Sequence, residues 1–173
     1  MFLIFSLCCI NVHADERLYK IELVIFSQEM PNTEVFDQTE SRIAWPKKVV
    51  EIASYKKVNS EDVDLHGSYA QLAMAQDYQI LMHVAWIQPV KGNRLGTAVQ
   101  ISNAKGTING FFRLQRGHLV HMIADIEYSP DSYTDSVVYR LNEKRRFKLN
   151  ETHYLDHPKF GIIARVSPVI LSE

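Results

Sequence analysis

Alternation of apolar and polar residues with a period of two constrains this chain more than any other feature. A run of that kind can bury a single face only as a β-strand. Tyr19 to Phe26 shows it first. Tyr19, Ile21, Leu23 and Ile25 alternate with Lys20 and Glu22, and Val24 and Phe26 then make the second face apolar too. A strand apolar on both faces belongs in the middle of a sheet. Tyr78 to Gln88 repeats the pattern, with Tyr78, Ile80, Met82, Val84 and Trp86 on one face and Leu81, Ala85 and Ile87 on the other. Pro89, which cannot donate to a ladder, is expected to close it.

Further strands follow from the same pattern. Ala98–Ile101 is short. Gly106–Gln115 and His118–Tyr128 read as a hairpin around Arg116-Gly117, where Gly accepts a positive φ. Val137–Leu141 and Arg145–Leu149 read as a second hairpin around Asn142-Glu143-Lys144, Gly92-Asn93 as a turn, and Phe160–Val166 as a last strand ended by Pro168. Ser68 is a plausible N-cap for a helix carrying Tyr69, Leu72, Ala73 and Gln76 at helical spacing and ending near Asp77. Residues 29–66 are polar and irregular, with a short helix expected over Lys47–Ile52, opened by Pro46. The sum is about seven strands and one or two helices. Short connections imply antiparallel pairing and an α+β class, mainly antiparallel sheet.

The first fourteen residues, MFLIFSLCCINVHA, hold an apolar run from Phe2 to Ile10 and end in Val-His-Ala, which fits a secretory signal peptide cleaved after Ala14. The run is too short to span a bilayer. It also contains both cysteines, Cys8 and Cys9. No small residue stands where a lipobox needs one, so cleavage is favoured over lipidation. The expected mature chain is residues 15–173, a single periplasmic domain without cysteine, disulfide or transmembrane segment. The whole chain carries a formal charge of −1, which argues against a nucleic-acid partner. That balance hides an asymmetry. Residues 1–90 hold 7 basic and 12 acidic groups, and residues 91–173 hold 12 and 8. Separate acidic and basic surfaces follow unless the fold interleaves the two halves.

Four groups of residues are candidates for chemistry. His153 and His157 have the i, i+4 spacing of a zinc helix, but Pro158 pushes His157 out of the α region. In an extended segment the two rings lie roughly 13 Å apart, too far to share one ion. The alternatives for His153–Gly161 are a rigid turn, with Asp156 accepting backbone N–H groups, or a polar recognition loop. His121 and Asp125 suggest a base and its orienter, against a plainer reading as polar residues on a half-buried strand. Arg140, Lys144, Arg145, Arg146 and Lys148 form a basic run that either stays solvated or binds carboxylates or phosphates. Trp86 with Gln88 is either a sugar-stacking pair or core. No phosphate loop, nucleophile elbow, paired-carboxylate signature or dinucleotide fingerprint occurs, so no cofactor or metal is expected and an enzyme is not the leading idea.

Tyr139–Arg146 followed by His153-Tyr154-Leu155-Asp156-His157-Pro158-Lys159-Phe160-Gly161 resembles the CsiV family of periplasmic peptidoglycan-binding proteins linked to cell-shape integrity in gammaproteobacteria. Tyr19–Phe26, Ala85–Pro89, Gly106–Leu114 and Arg116–His121 match in the same order, and D-H-P-x-F-G is the most specific piece. The resemblance implies a non-enzymatic protein that binds the wall and assists its synthesis. Combined with the charge clustering, it places Arg145, Arg146 and Lys148 against wall carboxylates and Tyr154 against sugar or peptide. His153, Asp156 and His157 then shape the loop beside them. The alternatives are an adaptor docking on a peptidoglycan synthase or its lipoprotein activator, and a wall hydrolase using His121, His153 or His157.

Overall fold

The strand from Glu16 to Gln28, β1, sits in the middle of its sheet, as its two apolar faces require. The computed structural model describes residues 16–28, 40–92, 94–130 and 137–170. The expected signal-peptide segment with Cys8 and Cys9, and Asn93 of the expected turn, lie outside the described residues.

Among the described residues there are eleven strands, more than the expected seven or so, and the structure is mostly antiparallel β with a single helix, as the mainly antiparallel reading expected. After β1 come β2 (Val49–Glu51), β3 (Lys56–Lys57), β4 (Tyr78–Lys91), β5 (Arg94–Leu95), β6 (Ala98–Ser102), β7 (Ile108–Arg116), β8 (Val120–Tyr128), β9 (Tyr139–Arg146), β10 (Thr152–His157) and β11 (Phe160–Pro168). The one α-helix among the described residues, α1, is His66–Met74. One sheet has the order β10-β11-β1-β4-β3. The other has the order β2-β6-β7-β8-β9, with β5 paired to β7. All pairs are antiparallel except β2 with β6.

The inner faces of both sheets meet in one core. Ile21, Leu23 and Ile25 of β1, Trp86 of β4 and Ile162, Ala164 and Val166 of β11 face Val99, Ile101, Phe112, Leu114, Met122, Ala124 and Ile126 of the second sheet. Each large side chain buried there contributes about 1.5–3 kcal/mol by leaving water. The hairpin of β7 and β8 forms as expected but with a different turn: Arg116 belongs to β7 opposite Val120, the turn runs through Gly117-His118-Leu119, and Gly117 does not take a positive φ. At Gly110 the neighbouring strand comes so close that a Cβ would lie 2.3 Å from the Asp125 carbonyl oxygen, so only glycine fits.

Several local expectations are corrected. Lys47–Ile52 is not a helix: Val49–Glu51 pair in parallel with β6, and a single 3-10 turn follows over Ile52–Ser54. Parallel pairing beside an apolar strand outweighs the weak signal of Pro46. Tyr139–Arg146 is one strand, β9, and not a hairpin turning at Asn142-Glu143-Lys144, because it pairs along its whole length with β8, and Lys148 follows in the loop to β10. The second hairpin is instead β10 and β11, turning through Pro158-Lys159. Pro89 does not end β4, which continues to Lys91 opposite Glu16. A bulge at Leu81 adds one residue to β4 between Met82, opposite Ile25, and Ile80, opposite Phe26. Tyr78 and Ile80 therefore leave the face they were expected to share with Trp86. Helix α1 starts two residues before Ser68, and no side chain of its N-cap residue bonds to it.

Candidate functional site

The outer face of the first sheet is built by register. Lys56, Ile87, Lys20 and Ser167 form one rung across β3, β4, β1 and β11. Ala85, Glu22 and Arg165 form the next. Lys20 and Glu22, two residues apart on a strand, point the same way, so the alternation that buries Ile21 and Leu23 also places these charges together outside. The segment between β3 and α1 crosses over them. Lys20 Nζ donates to the Asp62 carbonyl at 2.9 Å and pairs with Asp64 Oδ2 at 2.9 Å.

Glu22 anchors that crossing. It is only 1% exposed in the middle of the sheet, where a lone carboxylate would be very costly. It accepts the backbone N–H groups of Asp64 and Leu65 at 2.7 and 3.1 Å, and its Oε1 lies 2.8 Å from His83 Nε2. These are the N–H groups of the N-cap residue Leu65 and of the residue before it, so the carboxylate fixes the chain where it enters α1. The Tyr69 ring of α1 stacks on His83 at 5.0 Å.

On one side of the crossing segment lies an open groove of about 420 Å³. Lys20, Lys56, Lys57 and Arg165 line it against Asp62 and Asp64, with Asn150 at one end and Ile87 on the floor. Asn150 sits at φ 64°, a left-handed conformation that asparagine tolerates. It belongs to the loop that carries Lys148. On the other side is a cavity of about 860 Å³ lined by His66, Tyr69 and His83.

The residues expected from sequence lie on β9, β10 and the loop between them, and several touch one another. Tyr154 and Asp156 share the outer face of β10. The Tyr154 hydroxyl donates to Asp156 Oδ1 at 2.7 Å and lies 3.0 Å from Gln28 Oε1, while Gln28 Nε2 donates to Asp156 Oδ1 at 2.9 Å. Burial, then the bond to Asp156, pushes the Tyr154 hydroxyl up to about 12. Its ring stacks on Phe26 at 6.1 Å over Gly161, where a Cβ would come within 2.7 Å of both rings. That contact explains the final glycine of D-H-P-x-F-G. Asp156 thus accepts side-chain donors. The backbone N–H of the turn, from Lys159, goes instead to His157 Nδ1 at 3.2 Å. Burial lowers the His157 pKa, and its ring packs between Tyr139 and Phe160. His153 closes the β9–β10 loop through the Lys148 carbonyl at 3.2 Å, its ring edge-on to Phe147.

The basic run is dispersed because strand neighbours point to opposite faces. Arg145 pairs with Glu143 at 2.7 Å and donates to the Tyr154 carbonyl. Arg146 and Lys144 point outward on the other face, and Lys148 stands largely in solvent beside Glu151. Arg140 is consumed by Asp125, in a bidentate pair at 2.7 and 2.8 Å. Asp125 therefore does not orient His121. Burial alone would raise its carboxyl, but hydrogen bonds from Arg140, Asn142 and the Ala44 N–H outweigh that and hold it below the usual range. A carboxyl lowered by folding stabilises above its unfolded pKa, about 3.9, and that stability is lost as pH falls through the folded value. Acid titration followed by circular dichroism should show the loss below about pH 4, and Asp125→Asn should flatten it. An unchanged acid slope in that variant would remove Asp125 as its source.

Trp86 is fully buried and edge-on to Phe112 at 6.1 Å, with its Nε1 donating to Gln88 Oε1 at 3.1 Å. It is core and not a sugar platform. Among the described residues no three His, Cys, Asp or Glu side chains come together to hold a metal, and no helix is long and apolar enough to cross a membrane.

Sequence reasoning did not find the groove. Lys56 and Lys57 lie in the polar stretch with little pattern, and Arg165 is a lone charge in an apolar strand. The available signal was that lone charge together with Lys20 and Glu22, polar positions on a strand otherwise apolar on both faces.

A family model described as "Peptidoglycan-binding protein, CsiV" matches residues 37–169. No curated protein and no solved structure matches the chain. The matched span holds Lys56, Lys57 and Arg165 of the groove, the core tryptophan and the whole D-H-P-x-F-G hairpin. With a match over most of its length, the chain belongs to the CsiV family.

Proposed function

We propose that this protein binds peptidoglycan in the periplasm without cleaving it, and in doing so assists wall synthesis and the maintenance of cell shape. The observation that carries the reading is the open groove, where four cationic residues of the sheet line the space together with Asp62 and Asp64 of the crossing segment. The wall offers carboxylates on its stem peptides, and a net positive, solvent-open groove is suited to them. The family description supports the same ligand. Lys148, on the loop that ends the groove at Asn150, extends the basic surface beyond it, and Arg146 adds an outward charge on β9. An exported chain with a leader over residues 1–14 meets that ligand where the reading requires.

Pelleting of the purified protein with isolated sacculi tests this. Wild type should co-sediment and be released as salt rises, since exposed charges are screened over about 10 Å at 0.1 M. Lys56→Glu/Lys57→Glu should weaken pelleting, and Arg146→Glu/Lys148→Glu should do so to a smaller extent. Pelleting that ignores both reversals and salt would sink the assignment of the surface, and no pelleting at all would sink the function.

A further inference from the structure

Asp64 holds the centre of the groove in an unusual way. Three donors converge on its single oxygen Oδ2: Lys20 Nζ at 2.9 Å, Arg165 Nε at 3.4 Å and Ser167 Oγ at 3.4 Å. The first is a close ion pair and the other two are long. Arg165 Nε is buried and has no hydrogen-bond partner among the described residues. A buried donor left without a partner is unfavourable, and a guanidinium presents a planar fork that suits a carboxylate taken by two oxygens. Lys56 stands on the same rung as Lys20, two strands away, which is roughly 10 Å across the groove. Neither Lys56 nor Lys57 is matched by a carboxylate at ion-pair distance among the described residues.

From this geometry we infer that the groove is a subsite for a free peptide carboxylate, and that Asp64 stands in the place that group would take. The ligand carboxylate takes the fork of Arg165 and the ammonium of Lys20, and Lys56 closes over its outer side. Asp64 moves aside or turns to a ligand amine. The inference rests on the peptidoglycan reading for the natural source of the carboxylate, the stem peptide, but its chemistry does not require the intact wall.

The test is calorimetric titration of the full purified chain with three soluble probes. These are the alanyl-γ-glutamyl-diaminopimelyl wall tripeptide, the same peptide with its carboxyl groups amidated, and a chitin oligosaccharide without carboxylates. The free tripeptide should bind about tenfold or more tightly than its amidated form, the scale of one charge-assisted hydrogen bond. Arg165→Met and Lys56→Gln should each weaken it several-fold. Lys56 is exposed on a two-residue edge strand, so its variant keeps the fold even if Arg165→Met does not. Asp64→Asn should tighten binding, because the internal competitor loses its charge; a merely structural Asp64 would leave affinity unchanged or lower it. Equal binding of the amidated peptide, or affinity indifferent to Lys56→Gln, overturns the inference. Sacculi that pellet the protein while only the oligosaccharide binds leave the wall function standing and remove this subsite. Carboxylate-dependent peptide binding with no sacculus pelleting does the reverse.

Discussion

Glu22→Ala is expected to cost about 3–5 kcal/mol of folding stability, the scale for removing one member of a buried, hydrogen-bonded charged group. Urea denaturation should show a lower midpoint at nearly unchanged slope. The physical reason is that Glu22 satisfies three separate donors at once: the N–H groups of Asp64 and Leu65 and the imidazole of His83. Removing it orphans the backbone just ahead of α1 and leaves His83 facing a void in the middle of a sheet. Glu22→Gln should cost less, since one acceptor oxygen remains, but its amide N–H groups then confront other donors. The two variants together separate charge from shape. A Glu22→Ala protein within about 0.5 kcal/mol of wild type would show that water replaces the carboxylate freely and that the crossing segment is not anchored there.

Trp86→Ala carries the other large expected effect, about 3–5 kcal/mol. Trp86 is the largest of the fully buried side chains, sits at the centre of β4 and meets Phe112 of the opposite sheet edge-on. Its removal opens a cavity between the sheets that rigid strands on both sides close poorly. It also strips Gln88 of the donor to its Oε1, although Gln88 Nε2 still reaches the Thr97 carbonyl. Trp86→Phe retains most of the packing and should lose roughly 1–2 kcal/mol. Thermal or urea melts of the pair measure the difference. Equal stability of the alanine and phenylalanine variants would mean that the site relaxes around the missing ring, against the packing described.

Much of the fold was legible because alternation is a local signal. The inner face of β1 and the existence of the β7–β8 hairpin follow from residue order alone, whereas its register does not, because Arg116 joins the strand and the turn moves to residues 117–119. The failures have physical causes. The bulge at Leu81 is one extra residue, invisible to a pattern of period two until the partner strand is known. The charged string in β9 resembled a turn because polar residues favour turns, yet pairing with β8 and the bond from Arg140 to Asp125 hold it straight. The strand Lys56–Lys57 is too short to leave any periodicity. In the D-H-P-x-F-G segment the tight turn was readable from Pro158. The stack of Phe26 on Tyr154 over Gly161 was not, because Phe26 is far away in the chain.

The same division applies to function. The basic run was conspicuous in sequence, but the structure pairs Arg140 and Arg145 with carboxylates and turns their neighbours to opposite faces. The acidic and basic halves of the chain do not form separate surfaces, because β1, β3 and β4 from the first half and β10 and β11 from the second lie in one sheet. Sequence by itself determined which side of each strand is buried, since that depends only on the alternation of side chains along one backbone. Only the tertiary structure decided which strands lie side by side. That choice brings Lys20, Lys56 and Arg165 together around Asp64, because charges on different strands become neighbours through cross-strand register and not through distance along the chain.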